Sequence, residues 1–290
     1  ATTLLHGLLA LDPDARALRF YETLSPVPRE GAAEAERIGR AEILVRMADR
    51  LSPGLARAHR LDARGPEECL GLLMNTFVTP FFSAVAERGL LPYRMWLETL
   101  GDGDRDRSYR EYRQQLQIVQ STDGRRWALK CPCHMFGLSS LLRVLPEAAV
   151  VHTHRDLASA LPSLCSLRAL TSGFTGEAVD GARIGNATVR FVDDLLRWSM
   201  KARDSEHAHR ILDVRFDDVV ADPVEAVRGI YHHFGYPVTP EFLGAMGSHL
   251  DASAEAGREE HRYSLEEFGL EEDRIRKDFG WYHDRFRLGG

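Results

Sequence analysis

Residues 148–170 read AAVVHTHRDLASALPSLCSLRAL. A short run from Ala148 to Thr153 ends in His154-Arg155-Asp156, and apolar residues then recur at helical spacing as far as Leu170. A run of that length closed by a polar break reads as a buried strand, and the longer periodic stretch reads as a helix. The same alternation extends in both directions. Upstream, Trp127-Ala128-Leu129 predicts a strand and Met135–Leu145 a helix. Downstream come a helix over Ile184–Arg203, a strand over His209–Phe216 and a helix over Val224–Phe234, opened by Asp222-Pro223 and closed at Gly235. This grammar predicts an α/β chain with a mainly parallel central sheet flanked by helices. Ligands in such sheets sit beyond the carboxyl ends of the strands, so the residues after each run matter most.

The first part of the chain reads as helical. Thr3–Leu11 stops before Pro13, and Glu34–Leu51 carries Ile38, Leu44, Met47, Ala48 and Leu51 at helical spacing. Two further helices are expected over Glu67–Arg88, interrupted at Pro80, and over Arg105–Gln120, where Tyr109, Tyr112, Leu116 and Val119 share a face. The sequence shows no internal repeat and no low-complexity tract. Residues 1–290 therefore read as one domain with a helical insertion over about 31–122.

Composition narrows the function classes. Hydrophobic residues make up 44% and charged residues 28% of the 290, the mixture of a folded globular protein. Forty-three acidic against 37 basic residues give a net charge of −6, which offers no electrostatic support for binding nucleic acid or an anionic membrane. Any anion site must be local. The four cysteines, Cys69, Cys131, Cys133 and Cys165, fall into no paired zinc spacing, so no metal is expected and a reducing cytoplasm fits best. No stretch approaches the roughly 18 uninterrupted apolar residues of a transmembrane helix. Oligomeric state is not readable from the sequence.

Three strand or helix ends carry the candidate chemistry. Arg155 stands where a strand gives way to a helix, and Ser163 follows about two helical turns later, a pairing that suits a phosphate. The alternative is an arginine paired with Asp156 and a serine on a solvated face. Lys130 and His134 follow the strand at 127–129: the lysine to neutralise a transferring anion, the histidine either to accept a proton or to cap and pack a helix start. Thr2 and Thr3 open an apolar helix, as the back of a phosphate loop or as a capping pair. Arg276-Lys277 reads as a solvated basic pair. Phe77, Phe81, Phe82, Tyr93 and Trp96 line an acceptor pocket or belong to the core.

In this order the pieces resemble the bacterial sulfotransferases that use 3'-phosphoadenosine 5'-phosphosulfate (PAPS). The resemblance rests on Thr2-Thr3, on Leu129-Lys130-x-Pro132-x-His134, and on the strand–Arg155–helix–Ser163 element. Asp12-Pro13 with Tyr21-Glu22 and Pro26-Val27-Pro28, Arg215-Phe216-Asp217-Asp218 before Asp222-Pro223, and His261-Arg262-Tyr263 before Phe268-Gly269-Leu270 extend it over nearly the whole chain. It implies a P-loop NTPase-like three-layer fold whose first strand and the front of whose phosphate loop lie upstream of Ala1. It also implies a metal-free in-line transfer from PAPS to a hydroxyl of a small-molecule or lipid-like acceptor. Thr2, Thr3, Leu4, Lys130, Arg155 and Ser163 would hold the donor. His134 would be the base, with Glu22 as second choice, because a glutamate shortly after the phosphate-loop helix has that role in the tyrosylprotein relatives. Two rivals remain: a P-loop-type small-molecule kinase, disfavoured because Ala1 rather than a lysine precedes Thr2, and a non-catalytic interaction protein retaining the fold.

Overall fold

The structure is a computed structural model, and it describes residues 2–27, 33–54, 61–82, 91–121, 123–172, 180–255 and 264–288. Ala1, Pro28, residues 83–88 of the expected Glu67–Arg88 helix and His261-Arg262-Tyr263 lie outside the described residues.

Helix α1 (Thr2–Leu9) leads to strand β1 (Ala15–Ala17) and helices α2 (Phe20–Leu24) and α3 (Glu34–Leu51). Helices α4 (Leu70–Met74), α5 (Leu91–Thr99) and α6 (Asp102–Gln120) precede β2 (Arg126–Ala128). A 3-10 turn over Pro132–Gly137 then runs into α7 (Leu138–Val144), β3 (Val150–His154), α8 (Leu157–Ser172) and α9 (Gly181–Lys201). Strand β4 (Ile211–Arg215), α10 (Phe216–Ala221), α11 (Pro223–Phe234), α12 (Pro240–Glu255), α13 (Glu272–Asp278) and α14 (Gly280–Phe286) complete the chain.

The parallel pairing expected from the strand–helix alternation is present, but not as one central sheet. Among the described residues β1 pairs with β2 and β3 with β4, both parallel, and no described strand joins the two ribbons. Helix α1 straddles them instead: Thr2 Oγ1 lies 3.4 Å from Thr153 Oγ1 on β3, and His6 Nε2 lies 3.2 Å from the carbonyl oxygen of Ala128 on β2. The carboxyl ends of β2 and β3 thus meet at the N-terminus of one helix. Alternation along β3 and β4 divides their faces. Val151, Leu212 and Val214 pack with Leu5 and Leu8 of α1, Val227 and Ile230 of α11, and Phe242 and Met246 of α12. His152, His154 and Asp213 face the other way.

Local sequence explains most boundaries. Asp222 caps α11 by accepting from the Glu225 N–H at 2.9 Å, Pro223 takes the first turn, and Gly235 closes the helix in the left-handed region at φ 73°. Tyr109, Tyr112 and Leu116 of α6 are buried together against Leu72, Leu73 and Leu141. Three expectations need correction. The stretch expected to be helical over 67–88 is helical only at Leu70–Met74 and again at residues 81–82 among the described residues. There Thr76 and Thr79 hydroxyls accept from the Val78 and Phe81 N–H groups, and Phe77 takes φ 57°, so local side-chain bonds and a left-handed residue break the helix before Pro80 does. The segment after Lys130 begins as a 3-10 turn over Pro132–Gly137, and it ends where Gly137 packs so closely on Tyr109 that a Cβ would meet its ring at 2.7 Å. Helix α3 buries Ile38 and Ala41, whereas Leu44, Met47 and Leu51 are exposed.

Candidate active site

The first turn of α1, the residues after β2 and the residue after β3 come together. Lys130 Nζ lies 3.5 Å from Thr3 Oγ1, and Thr2 Oγ1 touches Thr153, two residues before Arg155. Thr2 and Thr3 are exposed. The side chain of Leu4 packs into the apolar cluster beneath α1, so its contribution to the rim is a first-turn N–H group. The N-terminus of a helix attracts anions through such N–H groups and the helix dipole, and a lysine beside two hydroxyls strengthens that field. His6 adds no charge there: burial, reinforced by Lys130, pulls its imidazole down to about 4.

Arg155 sits at the same edge. Its guanidinium lies 4.3 Å from the centroid of Phe216, the residue that follows β4, and its Nε donates to Ser159 Oγ at 3.2 Å. The expected alternative pairing with Asp156 is not formed. Asp156 Oδ1 is 3.5 Å from His283 Nε2, and its Oδ2 is 3.7 Å from Arg276 Nη2, so Arg276 reaches back to the start of α8 rather than standing as a purely solvated residue. Burial lowers the Arg155 pKa, and the charges of Asp156 and Asp217 only partly oppose that loss of hydration. Ser163 is exposed on α8; the hydroxyl that Arg155 holds in this structure is that of Ser159, one turn earlier. Arg215, at the end of β4, carries a buried Nε with no hydrogen-bond partner, although its Nη2 lies 3.4 Å from Asp217.

The two residues put forward as bases are engaged inside the protein. His134 Nδ1 lies 3.1 Å from the Tyr109 hydroxyl and Nε2 lies 3.4 Å from Cys69 Sγ, with Tyr109 and Tyr112 rings packed on either side. Cys69 donates its own S–H to the Lys130 carbonyl at 3.3 Å, which leaves its sulfur to accept from His134. Burial alone pulls the His134 imidazole down to about 4. As placed, the histidine has neither nitrogen open to the rim, and its contacts are those of the packing alternative. Glu22 is buried at the start of α2: Oε1 accepts from Arg16 Nη2 at 2.5 Å and Oε2 from the Arg19 N–H at 2.9 Å. Both its oxygens serve a capping box and an ion pair.

Sequence reading missed Glu68. Its Oε1 lies 2.9 Å from Lys130 Nζ, a pairing that no local spacing announces because the partners are 62 positions apart. It also missed a polar group behind the rim. His152, His154 and Asp213 place one ligand atom each within 4.8 Å of one another, the one such group among the described residues. A guanidinium sits in it: Arg203 Nη2 is 2.8 Å from His152 Nδ1 and also contacts Asp213 Oδ1. His154 donates to Asp213 through Nε2 at 2.9 Å and accepts from Tyr282 through Nδ1 at 2.9 Å. Burial opposes a charge on Asp213, yet His154 and Arg203 together hold its carboxyl down to about 2. The cation of this cluster is thus supplied by the chain itself, tying β3 and β4 to the last helix.

Ring contacts run over the helical part of the chain. Phe77, which is 66% exposed, stacks on Phe82 at 6.3 Å; Phe82 meets Tyr93 edge-on at 5.8 Å, and Tyr93 meets Trp96 at 5.5 Å. Tyr93 packs on the cluster that includes Phe136, two residues past His134.

Hydroxyls and N–H groups of a helix start, a strand-end lysine and a strand-end arginine define a helix-rich α/β protein with an anion-receiving rim. The chain belongs to the sulfotransferase family, whose profile matches residues 1–240. The omega-hydroxy-beta-dihydromenaquinone-9 sulfotransferases Stf3 of Mycobacterium bovis and Mycobacterium tuberculosis are each 28% identical over 142 residues, a stretch that is 48% of this chain and 36% of each relative. The chain thus matches only about a third of the length of these curated relatives. Sulfotransferase STF1 of M. tuberculosis superposes over 96% of this chain and 73% of its own, with a TM-score of 0.80 and 29% identity. Sulfotransferase STF9 of Mycobacterium avium covers all of this chain and 74% of its own, with a TM-score of 0.81 and 26% identity.

Proposed function

We propose that this chain transfers a sulfuryl group from PAPS to a hydroxyl of a small-molecule or lipid-like acceptor, within a P-loop-like three-layer fold. The observation that carries the reading is the meeting of Thr3 with Lys130 and of Thr2 with Thr153 beside Arg155, which joins three separate stretches of sequence at one helix N-terminus. The donor set fits a nucleotide bearing phosphate and sulfate at two ends. Thr2, Thr3, the Leu4 N–H and Lys130 would hold the phosphosulfate, and Arg155 with Ser163 would hold the 3'-phosphate. The unsatisfied Arg215 Nε provides a further donor at the same strand edge. PAPS brings an activated sulfuryl group; the protein's part is to fix the two reactants in line and to neutralise charge on the leaving phosphate.

The aromatic series Phe77, Phe82, Tyr93 and Trp96 supports an apolar acceptor, held by the helical insertion over about 31–122. An exposed phenylalanine in a left-handed conformation is an unfavourable arrangement that burial does not explain, and contact with an apolar ligand does. The named activity of the Stf3 relatives, on a hydroxylated menaquinone derivative, agrees with this class. No described helix is long and apolar enough to cross a membrane. A cytoplasmic location belongs to the same reading, since PAPS would be drawn there from soluble pools.

Thermal unfolding with adenosine 3',5'-bisphosphate (PAP) tests the proposal. A specific site raises the melting temperature with the logarithm of free ligand above Kd, adding about 2.7 kcal/mol of stability at a hundred times Kd. Stabilisation by magnesium ATP in place of PAP would favour a phosphoryl-transfer enzyme, and no shift with either would favour an interaction protein.

A further inference from the structure

Residues 66–69 are threaded between the two strand ends of the first ribbon. The Glu67 N–H donates to the Leu18 carbonyl at 2.7 Å, just past β1, and the Cys69 N–H donates to the Lys130 carbonyl at 3.0 Å, just past β2. Pro66 forms a bridge with Arg19. Glu68 is therefore held by backbone bonds on both sides, not by a free loop, and its carboxylate is aimed at Lys130. The pair is 2.9 Å apart, with the glutamate side chain 21% exposed and the lysine 12% exposed. Lys130 in turn faces the Thr3 hydroxyl at the helix N-terminus.

We infer that Glu68 is the group that takes the proton from the acceptor hydroxyl. The inference rests on the sulfotransferase reading and adds to it the residue that neither motif nor spacing supplied. The structure separates His134, Glu22 and Glu68 as candidates to accept the proton. His134 has both nitrogens in contacts with Tyr109 and Cys69, and Glu22 has both oxygens bound by Arg16 and the Arg19 N–H. Glu68 has one partner among the described residues, and that partner is the cation that an incoming anion would claim. A carboxylate beside the anion-neutralising lysine is within reach of the atoms that change charge, which is the first requirement of a general base. As the acceptor oxygen forms its bond to sulfur, its proton passes to a carboxylate oxygen of Glu68. The bond from sulfur to the bridging phosphate oxygen breaks, the electron pair stays on that oxygen, and Lys130 stands beside the new charge. The proton then leaves Glu68 for water.

Glu68→Gln tests this with little change of shape. Two quantities are read: release of labelled sulfate from PAPS with water or 2-naphthol as acceptor, and PAP affinity by calorimetry. Turnover is expected to fall by about 10²–10⁴. PAP affinity is expected to stay or to tighten, because the substitution removes the carboxylate that competes for Lys130. Glu68→Asp should recover part of the turnover. A merely structural glutamate would instead lose PAP affinity and melting temperature together with turnover. Wild-type turnover in Glu68→Gln, or parallel loss of affinity and stability, overturns the assignment. Failure of the wild-type protein to bind PAP overturns the sulfotransferase reading itself.

Discussion

Replacing Arg155 with alanine probes the second anchor of the rim. The guanidinium is already in place: it lies over Phe216, is steadied by Ser159, and its neighbour Asp156 is engaged by the Ala158 N–H and faces Arg276. Little rearrangement is then needed when a phosphate arrives, so most of the interaction appears as affinity. A hydrogen bond to a charged group contributes about 1.5–3 kcal/mol, and about 1.4 kcal/mol is a tenfold change in Kd. PAP affinity in Arg155→Ala should fall roughly ten- to a hundredfold. The structural loss is smaller, about 0.5–1 kcal/mol for a partly exposed contact between a cation and a ring, which lowers the melting temperature by only a few degrees. Arg155→Lys keeps the charge but not the planar fork, and should fall between alanine and wild type. Calorimetric titration with PAP, alongside unfolding curves, reads both effects. Unchanged affinity in a folded Arg155→Ala protein would refute the assignment of a phosphate to this strand end.

Other outcomes follow from particular contacts. Gly185→Ala should destabilise the protein by about 1–3 kcal/mol, because an added Cβ would meet the Phe268 carbonyl oxygen at 2.1 Å; a melting temperature equal to wild type would contradict that packing. Phe77→Gly removes an exposed ring and relieves a residue at φ 57°, so stability should hold or rise while KM for an apolar acceptor increases. The buried imidazoles of His6 and His134, pulled down to about 4 from an ordinary value near 6.5, bind protons more readily in the unfolded chain. Their contribution to stability is present above about pH 6.5 and is lost as pH falls toward 4, so His134→Asn should flatten the unfolding free energy against pH in that window. Asp213 is depressed to about 2, so its contribution persists to lower pH and is lost only as pH falls from near 4 through 2; Asp213→Asn should remove that lower limb.

The strand ends were legible because they depend on local pattern: a short apolar run, a polar break and a helix. That pattern led to Lys130 and Arg155, and the structure places both at strand ends. Strand β1 was invisible, since Ala15-Arg16-Ala17 has no β-branched residue and is too short for its alternation to stand out; it exists because Ala15 and Ala17 pair with Arg126 and Ala128. The two-ribbon arrangement was equally hidden, being a matter of which edges meet and not of which segments are extended. Helix α3 shows the limit of periodicity. Its apolar positions repeat at helical spacing, yet the face turned inward is set by Tyr21 and Ala63, and it takes only Ile38 and Ala41 with it. His134 and Glu22 were chosen in the sequence for their positions after a strand-end lysine and after the first helix. What their side chains touch was settled by Tyr109, Cys69 and Arg16, which approach from elsewhere in the chain.

The rim also shows how an acidic protein keeps cations available. A net charge of −6 means that carboxylates outnumber basic groups around most of the surface, and strand ends are rich in them: Asp156, Asp213 and Asp217 lie within two residues of Arg155 or Arg215. Two of the three are drawn to partners away from the rim cations. Asp156 accepts from the Ala158 N–H at 3.1 Å and faces Arg276 at 3.7 Å, and Asp213 goes to His154 and Arg203, while Asp217 makes only a 3.4 Å contact with Arg215. Arg155 makes its direct contacts with a ring and a hydroxyl, and Asp156 and Asp217 act on its charge without a direct ion pair. Helix α13, through Arg276, thus competes with Arg155 for the nearest carboxylate without being part of the proposed site. Because Coulomb energy falls with distance and salt screens what lies beyond about 10 Å, these short-range pairings govern the rim more than the overall charge does. Arg276→Ala should bring more of the Asp156 charge to bear on Arg155 and weaken PAP affinity without touching any group proposed to hold the nucleotide, which calorimetric titration would read.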